Sequence, residues 1–364
     1  MNKTMSNMTE TSALSADHIR QDWHKLLESQ PNLRIRDAAR QLGLSEAQLL
    51  ATTVGKDCIR LSGDWPEFLK RLPELGYVMS LTRNDACILE HKGVFEKVST
   101  FGRGSHWMAT VIGPIETRVF FQAWHVAFAV HQEKNGRELT SLQVFDKAGE
   151  AITKIFLQDD SNKDAYQAIV NDFKSEDQTS EQQLTGIEDK SYSVKVDQDS
   201  FLSDWDKLKD THDFFPMLRK HKVHRYHALE LAVEKYTYQV NPESLEDMLK
   251  QASRTKLPIM IFAGNHGNLQ IHQDRVRTIR MLDRGHNGAE RWLNVLDPEF
   301  NMHLKMNLVD TAWVVKKPTD DGIVTAVELF DANKNLIAQF FGLRKPGIPQ
   351  LGEWAELVAS LPRI

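Results

Sequence analysis

The residues best suited to chemistry stand in one stretch, residues 205–227, reading WDKLKDTHDFFPMLRKHKVHRYH. Phe201, Trp205, Leu208, His212, Phe215 and Leu218 follow in steps of three and four, the spacing of one helix face. His212 is therefore expected to point where the aromatic and aliphatic side chains point. Arg219, Lys220, Lys222 and Arg225 follow as a basic rim. An imidazole on an apolar face beside cations suits a flat, apolar, anionic ligand held through a metal. The same pattern also describes a hydrogen-bonded core histidine. Pro216 lacks a backbone N–H and is tolerated in a helix only in the first turn. With Thr211 and Asp213 as candidate caps, one helix is expected to end or kink near His212 and another to start at Asp213.

A second constellation competes for a metal. His221, His224 and His227 step by three, so two of them could share an ion on one helix face but three fit poorly. An exposed histidine-rich helix start is the plainer reading. No phosphate-binding glycine loop, no serine–histidine–aspartate arrangement and no catalytic carboxylate pair stands out.

The elements that must position these residues can be read from the rest of the chain. Its 364 residues suffice for two domains, and 41% hydrophobic with 26% charged residues is the composition of a soluble globular protein. No apolar run reaches the roughly 20 residues needed to span a bilayer, so no stable membrane insertion is expected. Residues 1–17 lack the apolar core of a signal peptide and read as a short disordered lead. The two cysteines, Cys58 and Cys87, argue for a reducing cytoplasm rather than a disulfide framework. A net charge of −5 argues against wholesale nucleic-acid binding. Residues 35–50, IRDAARQLGLSEAQLL, have the outline of a helix-turn-helix. The second helix lacks the Arg, Lys and Asn that would reach bases, so a helical hairpin packed on a core is the favoured reading over a DNA-binding regulator.

From about Gly76 the pattern turns to strands, with Asp146 to Gly149 as a hairpin turn. The second half repeats the first. NDACILEHKGVFEKV aligns with NHGNLQIHQDRVRTI, placing Asn84 on Asn265 and His91 on His272, each pair 181 residues apart. LQVFDKAGEAITKIF matches VELFDANKNLIAQFF with Phe145 on Phe330, and Trp124 and Trp313 are similarly placed. Residues 174–200 are polar and acidic and read as a linker. The expected organisation is a lead (1–17), a first repeat (18–173), a linker (174–200) and a second repeat carrying His212 (201–364). The expected fold is α+β: two halves, each a large antiparallel β-sheet with packed helices, and a ligand cleft between them.

The half-repeat, DTHDFFPMLR, IMIFAGNHGNLQIH, VVKKPTDDGIVTAVELFD and LIAQFFGLR together resemble the haemin-degrading factors, also called haemin transport proteins, of Gram-negative haem-uptake loci. The likeness runs from about residue 18 to 360. It implies a cytoplasmic haem-binding protein of iron acquisition, with haem b as ligand and substrate in a cleft between the halves. The family's proximal iron ligand falls on His212 and its distal arginine on Arg118. Its propionate-holding and pocket-wall positions fall on Arg225, Phe262, Lys317, Gln339, Phe341 and Arg344. Position 341 is commonly Tyr in relatives, so a hydrogen bond there is lost. A first-half histidine ligand assigned in some relatives falls on Leu89, two residues from His91.

These residue types suit haem. Neutral imidazole ligates iron, and its second nitrogen is ordinarily held by a carbonyl or carboxylate. Arg118 could hydrogen-bond an iron-bound ligand across the ring, or simply pair with Glu116. Arg225, Lys317 and Arg344 could meet propionates with charge-assisted bonds, while Phe262 and Phe341 offer ring faces or plain core. The implied activity is oxidative ring opening with an external reductant, iron release, and partners that include an inner-membrane haem transporter and a reductase. A haem carrier without turnover needs the same ligands and stands as the alternative.

Overall fold

A computed structural model describes residues 15–103, 106–134, 136–186, 192, 195–285, 288–345 and 347–364. The first fourteen residues of the expected disordered lead lie outside this set, while residues 16 and 17 already belong to helix α1 (Ala16–Ser29). The strands in chain order are β1 (Cys58–Leu61), β2 (Gly76–Arg83), β3 (Cys87–Gly93), β4 (Ser99–Arg103), β5 (His106–Val111), β6 (Glu116–Phe120), β7 (Val126–Lys134), β8 (Arg137–Phe145) and β9 (Ala151–Ser161) from the first half. The second half supplies β10 (Thr237–Val240), β11 (Ile259–Gly264), β12 (Asn268–Asp274), β13 (Ile279–Arg284), β14 (Glu290–Leu296), β15 (Phe300–Lys305), β16 (Thr311–Thr319), β17 (Gly322–Phe330) and β18 (Leu336–Gly342).

They form two nine-stranded antiparallel sheets with one topology. The first runs β1-β7-β8-β9-β2-β3-β15-β14-β13 and the second β10-β16-β17-β18-β11-β12-β6-β5-β4. Two large antiparallel sheets with helices are as expected. The sheets do not, however, follow the halves of the chain: each half lends three strands to the other's sheet. The joins are β3–β15, pairing His91 with Phe300, and β12–β6, pairing Leu269 with Arg118.

The repeat explains the joins. Asn84 accepts the backbone N–H groups of Ala86 and Cys87 at its own turn and donates to the carbonyls of Gly264 (3.1 Å) and Ile337 (2.8 Å) in the other half. Asn265, its aligned partner, accepts from Gly267 and Asn268 and donates to Arg83 and Ile152, both at 2.9 Å. Each asparagine thus satisfies partly buried backbone of both halves, which would otherwise lack these partners at the seam. The register also corrects one alignment: Phe128 opposes Gln143 as Trp313 opposes Glu328, so Phe128, not Trp124, is the counterpart of Trp313.

Helix α2 (Ile35–Gln41) and α3 (Glu46–Ala51) are joined through Gly43 at φ +69°, and Ser45 with Gln48 forms a capping box. Glu46, Ala47, Leu49, Leu50 and Ala51 are all buried, so α3 is a core helix and not a free recognition helix. α4 (Trp65–Arg71) and α5 (Lys163–Phe173) pack Phe68, Leu69, Ile169 and Val170 on one face of the first sheet. The linker is partly tied down: Ser175 and Gln178 bond the backbone of Arg60, Asp177 pairs with its side chain, and Thr185 N–H donates to Lys147. α6 (Gln198–Trp205) begins within the expected linker. α7 (Phe214–Lys220) and α8 (Arg225–Leu231) follow. α9 (Leu245–Thr255) buries Leu245, Met248, Leu249 and Ala252, an apolar stripe at helical spacing, and with α10 (Gly352–Ala359) covers one face of the second sheet.

His91 and His272 meet at the seam with ring centroids 5.6 Å apart, and His272 stacks on Phe300 at 3.7 Å. The Nε2 atoms of both are buried and have no hydrogen-bond partner among the described residues. Burial pushes His91 down to about 3 and His272 down to about 4. Both are neutral in the fold at pH 7. An imidazole with a depressed folded pKa contributes stability above its unfolded value near 6.5, and that stability is lost as pH falls from there towards the folded value. His272→Phe is therefore expected to remove about 3 kcal/mol of the stability loss between pH 7 and pH 4. Urea unfolding at both pH values checks this; an unchanged acid sensitivity would contradict it.

Candidate functional site

The face of the second sheet opposite α9 and α10 gathers most of the expected site residues. Strand periodicity and register place Lys317 (β16), Val324, Ala326 and Glu328 (β17), Gln339 and Phe341 (β18), Met260 and Phe262 (β11), Leu269 (β12) and Arg118 (β6) on this one face. Arg118 reaches it only because β6 crosses from the first half. Strand spacing sets Arg118 about 19 Å from Glu328, four strands away.

Glu328 is the missed residue on which the cluster turns. Its carboxylate is fully buried. Arg225, the first residue of α8, grips it with a fork: Nε to Oε2 at 2.7 Å and Nη2 to Oε1 at 2.6 Å. Lys317 Nζ (3.2 Å) and Gln339 Nε2 (2.9 Å) donate to Oε1. Burial alone would raise this carboxyl, but the charges of Arg225 and Lys317 prevail and hold it well below its ordinary range. Burial pushes Lys317 down to about 8 against the pull of Glu328. Arg225, Lys317 and Gln339 are therefore not free arms awaiting propionates. They form one network with a surplus of one positive charge, because one carboxylate faces two cations. The sequence signal was an acid in the otherwise apolar stripe Val324, Ala326, Glu328.

Between Glu328 and Arg118 the floor is apolar. Phe262 and Phe341 meet edge to face at 5.1 Å and cluster with Met260, Val324, Ala326 and Leu343. A cavity of about 890 Å³ opens at one end, lined by Phe262, Leu269, Gln339, Asn265 and His266 among others. Arg118 itself donates Nη2–H to Glu116 at 2.8 Å and Nη1–H to the carbonyls of Thr117 (3.2 Å) and Val111 (3.4 Å). The Glu116 pairing considered from sequence is thus formed.

His212 sits in a break between helices, as expected, but not on the buried face. A 3₁₀ turn, Thr211–Asp213, follows α6, and α7 starts directly after it with Pro216 in its first turn. Phe201, Trp205, Leu208 and Leu218 are buried, whereas Phe215 is 54% exposed and the His212 side chain 93% exposed. The turn re-aims the ring away from the packed face, which Phe214 and Met217 occupy instead. Asp210, also missed, caps the turn and holds the ring: its Oδ1 accepts the His212 backbone N–H at 2.8 Å and lies 2.5 Å from Nδ1. The His212 backbone N–H keeps the Asp210 carboxylate below its usual range, with the charge of Arg344 a lesser contribution. With Nδ1 held by a carboxylate, Nε2 is the nitrogen left to ligate. Trp205 anchors the segment by donating to Lys316 O at 3.0 Å. Arg344 lies just beyond β18, and its buried Nη1 has no acceptor among the described residues.

The remaining histidines are apart. His221 bonds Asp204 at 2.7 Å, His224 caps Tyr226, and His227 pairs with Glu230. No group of three metal-ligating side chains converges among the described residues. His91 is buried at the seam against Gln270 (2.7 Å) and Phe300, with no path to a ligand on this face.

Removing one partner of a buried ionic network leaves the others uncompensated, at a cost of about 3–5 kcal/mol. Glu328→Gln is expected to lose roughly 3 kcal/mol of unfolding free energy, read from denaturant midpoints. A loss below about 1 kcal/mol would show that Arg225 and Lys317 are solvated without it.

Comparison with known proteins places the chain in a family. The model of the haemin-degrading HemS/ChuX domain matches residues 43–173 and again 222–361. The hemin transport protein HmuS of Yersinia pestis is 30% identical over 333 residues, 91% of this chain and 93% of that one. The heme-binding protein PhuS of Pseudomonas aeruginosa, in its holo crystal structure, superposes with a TM-score of 0.91 at 37% identity, covering 96% of this chain and all of that one. The heme degrading enzyme ChuS of Escherichia coli O157:H7 superposes with a TM-score of 0.87 at 28% identity, covering 96% and 100%. Two copies of the domain in one chain, whole-length similarity and a shared fold together establish that this protein belongs to the haemin-degrading HemS/ChuX family.

Proposed function

We propose that this protein binds haem on the shared face of the second sheet, in haem uptake and iron acquisition, and opens the ring oxidatively to release iron. The observation that carries the reading is His212: an exposed imidazole at a helix break, its Nδ1 held by Asp210, beside the sheet face that bears Phe262, Phe341 and a buried surplus positive charge. The porphyrin lies against Phe262 and Phe341. Its propionates are drawn to the surplus charge of the Glu328 network and to the unpartnered Nη1 of Arg344. His212 Nε2 binds the iron, and Arg118 offers donors to the opposite side. Haem supplies the redox chemistry, with electrons from an outside reductant; the protein supplies orientation and polarity. No helix among the described residues is long and apolar enough to cross a membrane. We place the protein in the cytoplasm, receiving haem from an inner-membrane transporter and electrons from a reductase.

One observation favours the carrier reading. Three of the five N–H groups of Arg118 are engaged by Glu116, Thr117 and Val111, which leaves two for the haem side and lessens its part in turnover. Haemin titration of the apoprotein, followed from the Soret to the visible bands, tests the binding site. A saturable one-to-one shift is expected in wild type, and a changed spectrum with at least tenfold weaker binding in His212→Ala. Adding ascorbate with catalase should then bleach the Soret band in wild type and much more slowly in Arg118→Ala. An unchanged titration in His212→Ala removes the ligand assignment, and a stable Soret band in wild type makes the protein a carrier. Affinity should also weaken above about pH 8, where Lys317 loses its proton and the surplus charge disappears, and this pH dependence should flatten in Lys317→Met.

A further inference from the structure

The Arg118 end of the second sheet's face carries an ion pair whose acid has no part in haem binding. Glu116 and Arg118 stand two residues apart on β6, so their side chains share that face. Glu116 Oε1 accepts from Arg118 Nη2 at 2.8 Å, while its Oε2 accepts from Gln273 Nε2 on β12. Nη1 of Arg118 is spent on the backbone carbonyls of Thr117 and Val111. Together these bonds lay the guanidinium along the sheet. Its Nε–H and one Nη2–H have no partner among the described residues.

The pair is enclosed enough for its charges to count. Side-chain exposure is 11% for Glu116 and 29% for Arg118, so water screens the attraction less than at an open surface. Leu269 and Thr110, opposite Arg118 on β12 and β5, and Ile271, opposite Glu116, bear no charge. Glu116 therefore decides whether this end of the face is positive or neutral. An arginine beside bound haem favours an anion on the iron. A carboxylate clamped to the same arginine cancels most of that preference.

The frame does not need an acid at this position. In the first sheet its register equivalent is Asn301 of β15, which opposes Glu90 as Glu116 opposes Ile271. A neutral amide is accommodated there, so charge is what Glu116 adds.

We propose that Glu116 is a positioning residue that latches Arg118 to the sheet and cancels its charge, so that haem in this cleft takes anionic ligands weakly and is opened slowly. The latch thus regulates the balance between holding haem and degrading it. This role rests on the haem reading of the second face; the ion pair itself does not.

Azide binding to the full chain loaded with one equivalent of haemin, followed by the Soret shift, tests the latch. Glu116→Gln is expected to bind azide roughly tenfold tighter than wild type, and Glu116→Asp, which keeps the charge, within about twofold of it. Imidazole, an uncharged ligand, should bind wild type and Glu116→Gln alike, which separates charge from access. The gain from Glu116→Gln should shrink to about twofold in an Arg118→Met background, because the carboxylate acts through the guanidinium. Bleaching by ascorbate with catalase should quicken in Glu116→Gln. Thr110→Glu, which sets a second carboxylate opposite Arg118, should weaken azide severalfold, and it stands as the test if Glu116→Gln does not fold. Folding is checked by circular dichroism and by the haemin titration. Equal azide affinity in wild type and Glu116→Gln, or a gain just as large with imidazole or in Arg118→Met, overturns the latch and leaves the haem site standing. So does a Thr110→Glu protein with unchanged azide affinity. A wild type that takes up no haemin removes the site and the latch together.

Discussion

The arrangement depends on the exchange of strands between the two halves. β6 belongs to the first repeat but hydrogen-bonds β12 of the second, and this alone sets Arg118 on the sheet that carries Phe262, Phe341 and Glu328. The exchange is held by buried polar chemistry as well as apolar packing. Asn84 and Asn265 each close their own turn and bond two carbonyls across the seam, so separating the halves would leave four carbonyls and two amides unsatisfied. A site assembled this way requires both halves to be folded together.

The two buried carboxylates show how duplicated faces diverge while keeping one constraint. A buried acid is tolerated only with charge and hydrogen bonds around it. Glu328 meets that demand with Arg225, Lys317 and Gln339, and Glu46 meets it with Lys154 and Arg83. The donor and acceptor have changed places between helix and sheet, so the packing survives although none of the ionic residues of these two networks keeps its charge at the aligned position. The imidazole of His212 has no counterpart in the first repeat: Leu33 stands 179 residues before it. Metal ligation from the helix break is thus proposed for the second face alone.

Much of this was legible in the sequence. Strand patterning, the asparagine and histidine pairs 181 residues apart, and the break at His212 all follow from local chemistry that the fold obeys. The strand exchange was not legible, because alternation reveals which face a residue takes but not which sheet the strand joins. The single apolar face from Phe201 to Leu218 failed at His212 and Phe215, because the 3₁₀ turn interrupts the helical phase the spacing assumed. Asp210 and Glu328 were not singled out from the sequence. Asp210 was passed over because Thr211 and Asp213, its neighbours, are equally good caps by residue type. Glu328 carried a signal, an acid in an apolar stripe, but only its register beside Gln339 and opposite Trp313 reveals its partners.

The proposed site sets haem on a face built by both halves, with His212 on one side of the ring and Arg118 on the other. A crystal structure of the haemin complex tests it most directly. The expected result is iron bonded to His212 Nε2, Asp210 still on Nδ1, Phe262 and Phe341 against the porphyrin, and Arg118 across the ring from His212. Iron bonded to another residue, or haem seated wholly against the first sheet with Arg118 remote from it, would contradict the account.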